Sequence, residues 1–180
     1  MNSAICRVDL NVADMDRQRY ADHALTIARH PSETDERMMV RVLAFALHSH
    51  ERLAFGRGIG TADEADLWLR DLTGRVELWI DVGQPDERRI RKATALSGHV
   101  VVYAYSGRSV EVSWEKLRPE LARFKNLEVV ALGPATTAAL TAMAGRTMTL
   151  QLTVQDGDAW FTGGDVRFAL ERTWLAGKAR

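Results

Sequence analysis

Val76-Glu77-Leu78-Trp79-Ile80-Asp81-Val82-Gly83-Gln84-Pro85-Asp86-Glu87-Arg88-Arg89-Ile90-Arg91-Lys92 is an apolar strand that delivers one carboxylate to the mouth of a basic helix. Val76, Leu78, Ile80 and Val82 share one face, the period of two that a strand imposes, while Glu77, Trp79, Asp81 and Gly83 take the other. Pro85 suits a first helical position, and Asp86 and Glu87 suit the positive end of a helix dipole. The spacing predicts a helix to about Leu96, ended by Gly98, and a following strand from His99 to Tyr105 around Val100-Val101-Val102. Strand, helix and strand at these lengths form a βαβ unit with a right-handed crossover and a parallel pair.

Toward the N-terminus, Cys6, Val8, Leu10 and Val12 alternate with Arg7, Asp9 and Asn11, which predicts a strand with one face buried. A second strand from about Tyr20 to Arg29 completes an N-terminal hairpin. His30-Pro31-Ser32-Glu33-Thr34-Asp35-Glu36 has the composition of a helix start, with Ser32 or Thr34 as N-cap and acids in the first turn. The helix is expected to run to about Leu53, with Arg37, Arg41 and His48 on a narrow polar side. Toward the C-terminus the pattern predicts a helix around Glu111 to Phe124, a strand Leu127 to Leu132 and a short helix near Thr136 to Met143. Met148, Leu150, Leu152 and Val154 then share a strand face, Gln155-Asp156-Gly157-Asp158 turns, and Ala159-Trp160-Phe161 returns, with a last strand through Asp165 to Leu175. The fold class is α/β, with a mixed sheet flanked by helices and antiparallel hairpins at both termini.

The 180 residues, 46% of them apolar, suit one domain spanning 1–180 with a sizeable core. No run approaches the ~20 apolar residues of a membrane span, and Met1-Asn2-Ser3-Ala4-Ile5-Cys6-Arg7 lacks a signal-peptide pattern, so a cytoplasmic protein without membrane contact is expected. Cys6 is the single cysteine, which excludes an intramolecular disulfide and a cysteine-rich zinc site; its strand context marks it as a small buried residue. Lys and Arg total 24 and Asp and Glu total 24, so no global field draws the chain to nucleic acid or anionic lipid. Any nucleic-acid or protein partner must be recognised locally, and the oligomeric state is left open.

Asp81 stands at the C-terminal edge of its strand, where open α/β sheets place ligands. Glu77, four residues earlier, is ~13 Å away along the strand and cannot share a metal with it. A second carboxylate has to come from a neighbouring element: Asp66, which opens the apolar segment Leu67-Trp68-Leu69-Arg70, is the leading candidate, with Asp71, Asp63 and Glu64 as rivals. Glu36 falls on the helical wheel with Val40, Leu43 and Leu47, toward the core, as a helix-end acid, an ion-pair partner or a metal ligand. Lys92 follows Arg88 by one helical turn on the same side, either as a solvated face paired with Asp86 or Glu87 or as a cation beside the carboxylates. Gly56-x-Gly58-x-Gly60 lacks the lysine and hydroxyl of a phosphate loop. His48 and His50, ~200° apart on a helix, cannot share a metal. Trp68, Trp79, Trp114, Trp160 and Trp174 read as core, and no serine-histidine-acid arrangement has support in the sequence.

His30-Pro31-Ser32-Glu33-Thr34-x-Glu36-Arg37-Met38-Met39, Leu78-Trp79-Ile80-Asp81-x-Gly83-x-Pro85-Asp86-Glu87-Arg88-Arg89-Ile90-x-Lys92-Ala93, Arg146-Thr147-Met148-Thr149-Leu150-Gln151 and Gln155-Asp156-Gly157 together resemble the bacterial YaeQ family over essentially the whole chain. That family is similar in fold to PD-(D/E)xK nucleases, so the resemblance implies a restriction-endonuclease-like core and hydrolysis of a phosphodiester. It implies catalytic roles for Glu36, Asp66, Asp81 and Lys92, with Asp66 and Asp81 holding Mg²⁺ or Mn²⁺, hard ions suited to oxygen ligands. Arg88, Arg89 and Arg91 would grip nucleic acid, and Glu77 and Gln84 are secondary candidates. The sequence departs from the nuclease pattern in having Gly83 where a lysine is expected and no proline before Asp66, so Lys92 would have to serve from the following helix. The alternative is a nonenzymatic nucleic-acid- or protein-binding module on the same scaffold, linked to transcription or repair. A purely structural reading would pair the carboxylates with arginines such as Arg70 or Arg89.

Overall fold

The computed structural model describes residues 3–59 and 62–177, so Gly60 of the glycine-spaced turn lies outside the described residues. The chain divides into two compact units, Met1–Ser49 with Ala135–Glu171, and His50–Pro134 with Arg172–Arg180.

In the first unit, β1 (Ala4–Asp14) and β2 (Arg19–Arg29) pair antiparallel, with Val8 opposite Leu25. The other edge of β1 takes β8 (Thr147–Gln155) in parallel, and β9 (Asp158–Gly163) and β10 (Val166–Ala169) follow antiparallel, giving the order β10-β9-β8-β1-β2. The alternation read from the sequence becomes one buried face: Cys6, Val8, Leu10 and Val12 on β1 and Met148, Leu150 and Leu152 on β8. Asp16 ties two distant turns together, its carboxylate accepting the N–H of Asp156 at 2.7 Å and of Gly157 at 2.8 Å. The helix α4 (Pro134–Ala142) leads back into this unit. A Cβ at Gly163 would lie 2.8 Å from Met143 Sδ and 2.9 Å from Leu150 Cδ2, a close approach suited to glycine.

The helix α1 (Asp35–Leu47) starts as expected, with Thr34 Oγ1 accepting from Arg37 N–H. It stops at Leu47 rather than near Leu53: His48 N–H bonds to Phe45 O and Ser49 N–H to Ala46 O, the three-residue spacing of a tightened last turn. A short strand, β3 (Leu53–Phe55), occupies the expected helix end. Arg41, expected on the polar side, is buried at 1% exposure. Its Nε and Nη2 donate to the two oxygens of buried Glu33 at 2.7 Å each, and Nη2 also reaches Ala28 O at 3.2 Å. A buried cation needs a buried anion, and here the anion comes from the segment before the N-cap, which carries no helical periodicity.

The second unit holds the order β11-β7-β6-β5-β4-β3, built from β4 (Leu67–Arg70), β5 (Val76–Val82), β6 (Ser97–Ala104), β7 (Leu127–Leu132) and β11 (Arg172–Ala176) with β3. β5, β6 and β7 run parallel and the outer strands antiparallel. The crossovers are α2 (Glu87–Leu96) and α3 (Arg108–Leu121). Trp79, Ile90, Ala93, Val100, Val102, Val110, Trp114, Leu121 and Val129 form one core with the two helices on the same sheet face. The mixed sheet expected from the sequence is therefore two mixed sheets. The single last strand expected through Asp165 to Leu175 is likewise two strands, β10 joining one sheet and β11 the other. Pro85, expected as the first helical residue, precedes the N-cap Asp86, whose carboxylate accepts from Arg89 N–H at 2.8 Å. Among the described residues no helix is long and apolar enough to cross a membrane.

Candidate functional site

The hairpin of β4 and β5 sets Leu67 opposite Ile80, which brings the preceding residue, Asp66, beside Asp81. Both acids are buried, Asp81 at 2% exposure and Asp66 at 7%. Asp66 N–H donates to Asp81 Oδ1 at 3.3 Å, and Asp66 Oδ2 accepts the Val82 N–H at 2.9 Å, so each carboxylate satisfies the other strand's backbone. The approach to Asp66 depends on Gly56, whose N–H donates to Asp66 O at 2.9 Å. A Cβ there would stand 2.0 Å from Ala65 O, a collision with backbone.

Arg89, in the first turn of α2, completes the cluster. Its Nε donates to Asp81 Oδ2 at 2.6 Å and its Nη2 to Asp81 Oδ1 at 2.8 Å, a two-pronged ion pair. Nη2 also donates to Glu64 O at 2.7 Å and Nη1 to Ala62 O at 3.3 Å. The guanidinium thus clamps strand, helix and the loop that carries Asp66. The hydrogen bonds to Asp81 hold Arg89 more firmly protonated than a free arginine, with Asp66 and Asp86 adding charge and burial opposing. Its guanidinium carbon lies 5.8 Å from the ring centre of Trp79, whose Nε1–H has no acceptor among the described residues. The adjoining loop is braced at its surface, where Glu64 accepts from Arg57 Nε at 2.7 Å and from Arg57 N–H at 3.0 Å, bonds that lower the Glu64 pKa and raise that of Arg57.

The remaining predicted residues are arranged differently. Lys92 pairs with Asp63, holding that carboxyl below the usual range, and Arg91 pairs with Glu87. Arg88 is exposed and has no side-chain partner among the described residues. Glu77 is exposed, 3.9 Å from Arg52, and Gln84 is exposed too. Glu36 belongs to the first unit, whereas Asp66, Asp81 and Lys92 belong to the second; it is half-buried, and the deeply buried acid of that segment is Glu33.

A divalent ion asks for several oxygens with free lone pairs converging on one point. Both Asp81 oxygens face Arg89, Asp66 Oδ2 takes a backbone N–H, and among the described residues of the second unit no three His, Cys, Asp or Glu side chains gather as metal ligands. The donor set as arranged does not fit Mg²⁺ or Mn²⁺; its cation is a side chain.

Two arrangements had no signal in the sequence. One is the Glu33–Arg41 pair. The other joins His23 on β2 to Ser49 after α1, Nε2 to Oγ at 2.6 Å, with the imidazole edge-on to Phe45 at 5.0 Å between ring centres. Burial lowers the His23 pKa against the opposing charge of Asp22. The Asp22 carboxylate accepts from Asn11 Nδ2 at 2.7 Å across the hairpin.

The model of the family described as "YaeQ protein" matches residues 1–172. A relative from Salmonella typhi named "Uncharacterized protein YaeQ" is 46% identical over 171 residues, covering 95% of this chain and 93% of its own. Its namesake from Escherichia coli K12 is 43% identical over 90% of both chains. Among solved structures, the YaeQ protein of Xanthomonas axonopodis pv. citri superposes with a TM-score of 0.93 at 45% identity, over 98% of this chain and 99% of that one. The YaeQ protein of Pseudomonas syringae superposes with a TM-score of 0.92 at 35% identity, over 99% and 98%. With its fold and nearly its full length matched by these proteins, the chain belongs to the YaeQ family.

Proposed function

We propose that this chain is a nonenzymatic binding module on a scaffold resembling PD-(D/E)xK nucleases. The observation that carries the reading is the two-pronged bond from Arg89 to Asp81, which neutralises the acid that a metal-dependent nuclease needs free. The same helix is poorly equipped as a phosphate grip. Arg89, Arg91 and Lys92 already pair with Asp81, Glu87 and Asp63, and each would have to give up an anion to take a phosphate.

One observation favours a second reading. The juxtaposition of Asp66 and Asp81 at the strand edge is the arrangement that the nuclease resemblance requires, with Lys92 as a further member and Mg²⁺ or Mn²⁺ as the ion. Calorimetric titration with each ion, on the wild type and on Asp81→Ala, separates the two, alongside incubation with labelled single- and double-stranded DNA and RNA. Absence of binding at millimolar metal and of cleavage is expected. Heat in the wild type that disappears in Asp81→Ala, together with metal-dependent cleavage, would overturn the binding-module reading.

A further inference from the structure

A groove of about 700 Å³ lies in the second unit between the C-terminal half of α3 and the strands β6, β7 and β11. Trp114, Leu121, Phe124, Leu127 and Leu175 supply its apolar lining. That volume is in the range that holds small organic ligands, and an apolar lining with few polar groups is their usual setting.

The polar groups are unevenly matched. Arg118 and Lys125 line the groove, and neither side chain has a hydrogen-bond or ion-pair partner among the described residues. The one carboxylate in the lining among the described residues, Glu128, is already engaged: Oε1 accepts from Trp174 Nε1 at 2.6 Å and Oε2 lies 3.2 Å from His99 Nε2. Two unpaired cations beside an apolar wall, with the acid turned to other donors, favour a ligand that carries both an anion and an apolar body. A bare phosphate would leave the apolar wall uncovered, and a neutral hydrocarbon would leave the cations unanswered.

We propose that this groove binds an amphipathic carboxylate of the size of a medium-chain fatty acid, its head group on Arg118 and Lys125 and its chain along Trp114 and Leu175. Arginine offers the planar fork that suits a carboxylate, and long cationic side chains extend their stems over apolar surface while keeping the charge at the rim. The inference goes beyond the binding-module reading: it shares no residue with the Asp81 cluster, so either can fail without the other.

The test titrates the full chain with decanoate, below its micellar concentration, and in parallel with decanol, by calorimetry and tryptophan fluorescence. Saturable decanoate binding is expected, with decanol and the Arg118→Ala/Lys125→Ala variant each weaker by about tenfold, the loss of a charge-assisted hydrogen bond. Both substituted residues are exposed, so circular dichroism and the melting curve should match the wild type. No saturable decanoate binding at millimolar concentration, equal affinity for decanol, or undiminished affinity in the double variant would overturn the proposal.

Discussion

Arg89 faces four oxygens from two segments, β5 and the loop before β4, and removing it strands Asp81, which has 3% side-chain exposure. Arg89→Ala is expected to cost about 2–4 kcal/mol, read by urea denaturation, because an unpaired buried charge is the main penalty when such a pair is broken. Asp81→Ala should cost less, since Arg89 is 24% exposed and can turn to water. The double variant should fall short of the sum of the two. His23 makes a second prediction. Its folded pKa is depressed, so the unfolded chain takes the proton first as pH falls; the favourable contribution is present above about 6.5 and lost below it, through the folded pKa. NMR titration of the His23 ring should place its midpoint under 6.5, and His23→Gln should flatten the decline of stability in that acid window. The nearness of Asp66 to Asp81 was legible in the sequence, since a hairpin between two apolar segments aligns their ends. The pairing of Arg89 was legible only as one alternative, beside Arg70 as a partner and beside a nucleic-acid grip as a role. Four basic residues within five positions look alike in sequence, and only the packing of α2 on the sheet decides which one meets the acid.

Among the elements, β5-α2-β6 was legible because three independent signals agree on it: alternation, an acidic first turn and a run of valines. The end of α1 was not, because the polar run His48–Arg52 contains no glycine or proline to mark a stop, which is made instead by backbone bonds of the last turn. Nor was the division into two sheets, since alternation reports which face of a strand is buried and not which strand lies beside it. Glu33→Ala tests how α1 is anchored: it leaves Arg41 buried without its anion and is expected to cost about 3–5 kcal/mol, whereas Thr34→Ala, which removes only the cap, should cost about 1 kcal/mol. The turn into β4 depends on Gly56 in the same way. Gly56→Ala must displace the Ala65 carbonyl and with it Asp66, so a loss of roughly 1–3 kcal/mol in thermal or urea unfolding is expected, the range of mutations that force backbone strain.

Across the whole molecule, the chain leaves the first unit at Ser49, builds most of the second, returns at Ala135 and finally sends β11 back to pair with β7. Deleting Arg172–Arg180 should therefore damage the second unit and not the first. It uncovers the edge of β7 and removes the bond from Trp174 to Glu128, so a lower melting midpoint with concentration-dependent light scattering is expected. The same threading has a consequence during synthesis. β1 can form its hairpin with β2 as soon as both emerge, but its other edge must wait for β8, and the carboxylate of Asp16 waits for an amide 140 residues later. At the usual pace of a ribosome that is a delay of roughly seven to thirty seconds, in which a half-paired sheet edge stands open to other nascent chains. Yield in cells should then be governed less by the stability of the finished protein than by what shelters that edge until its partner is made.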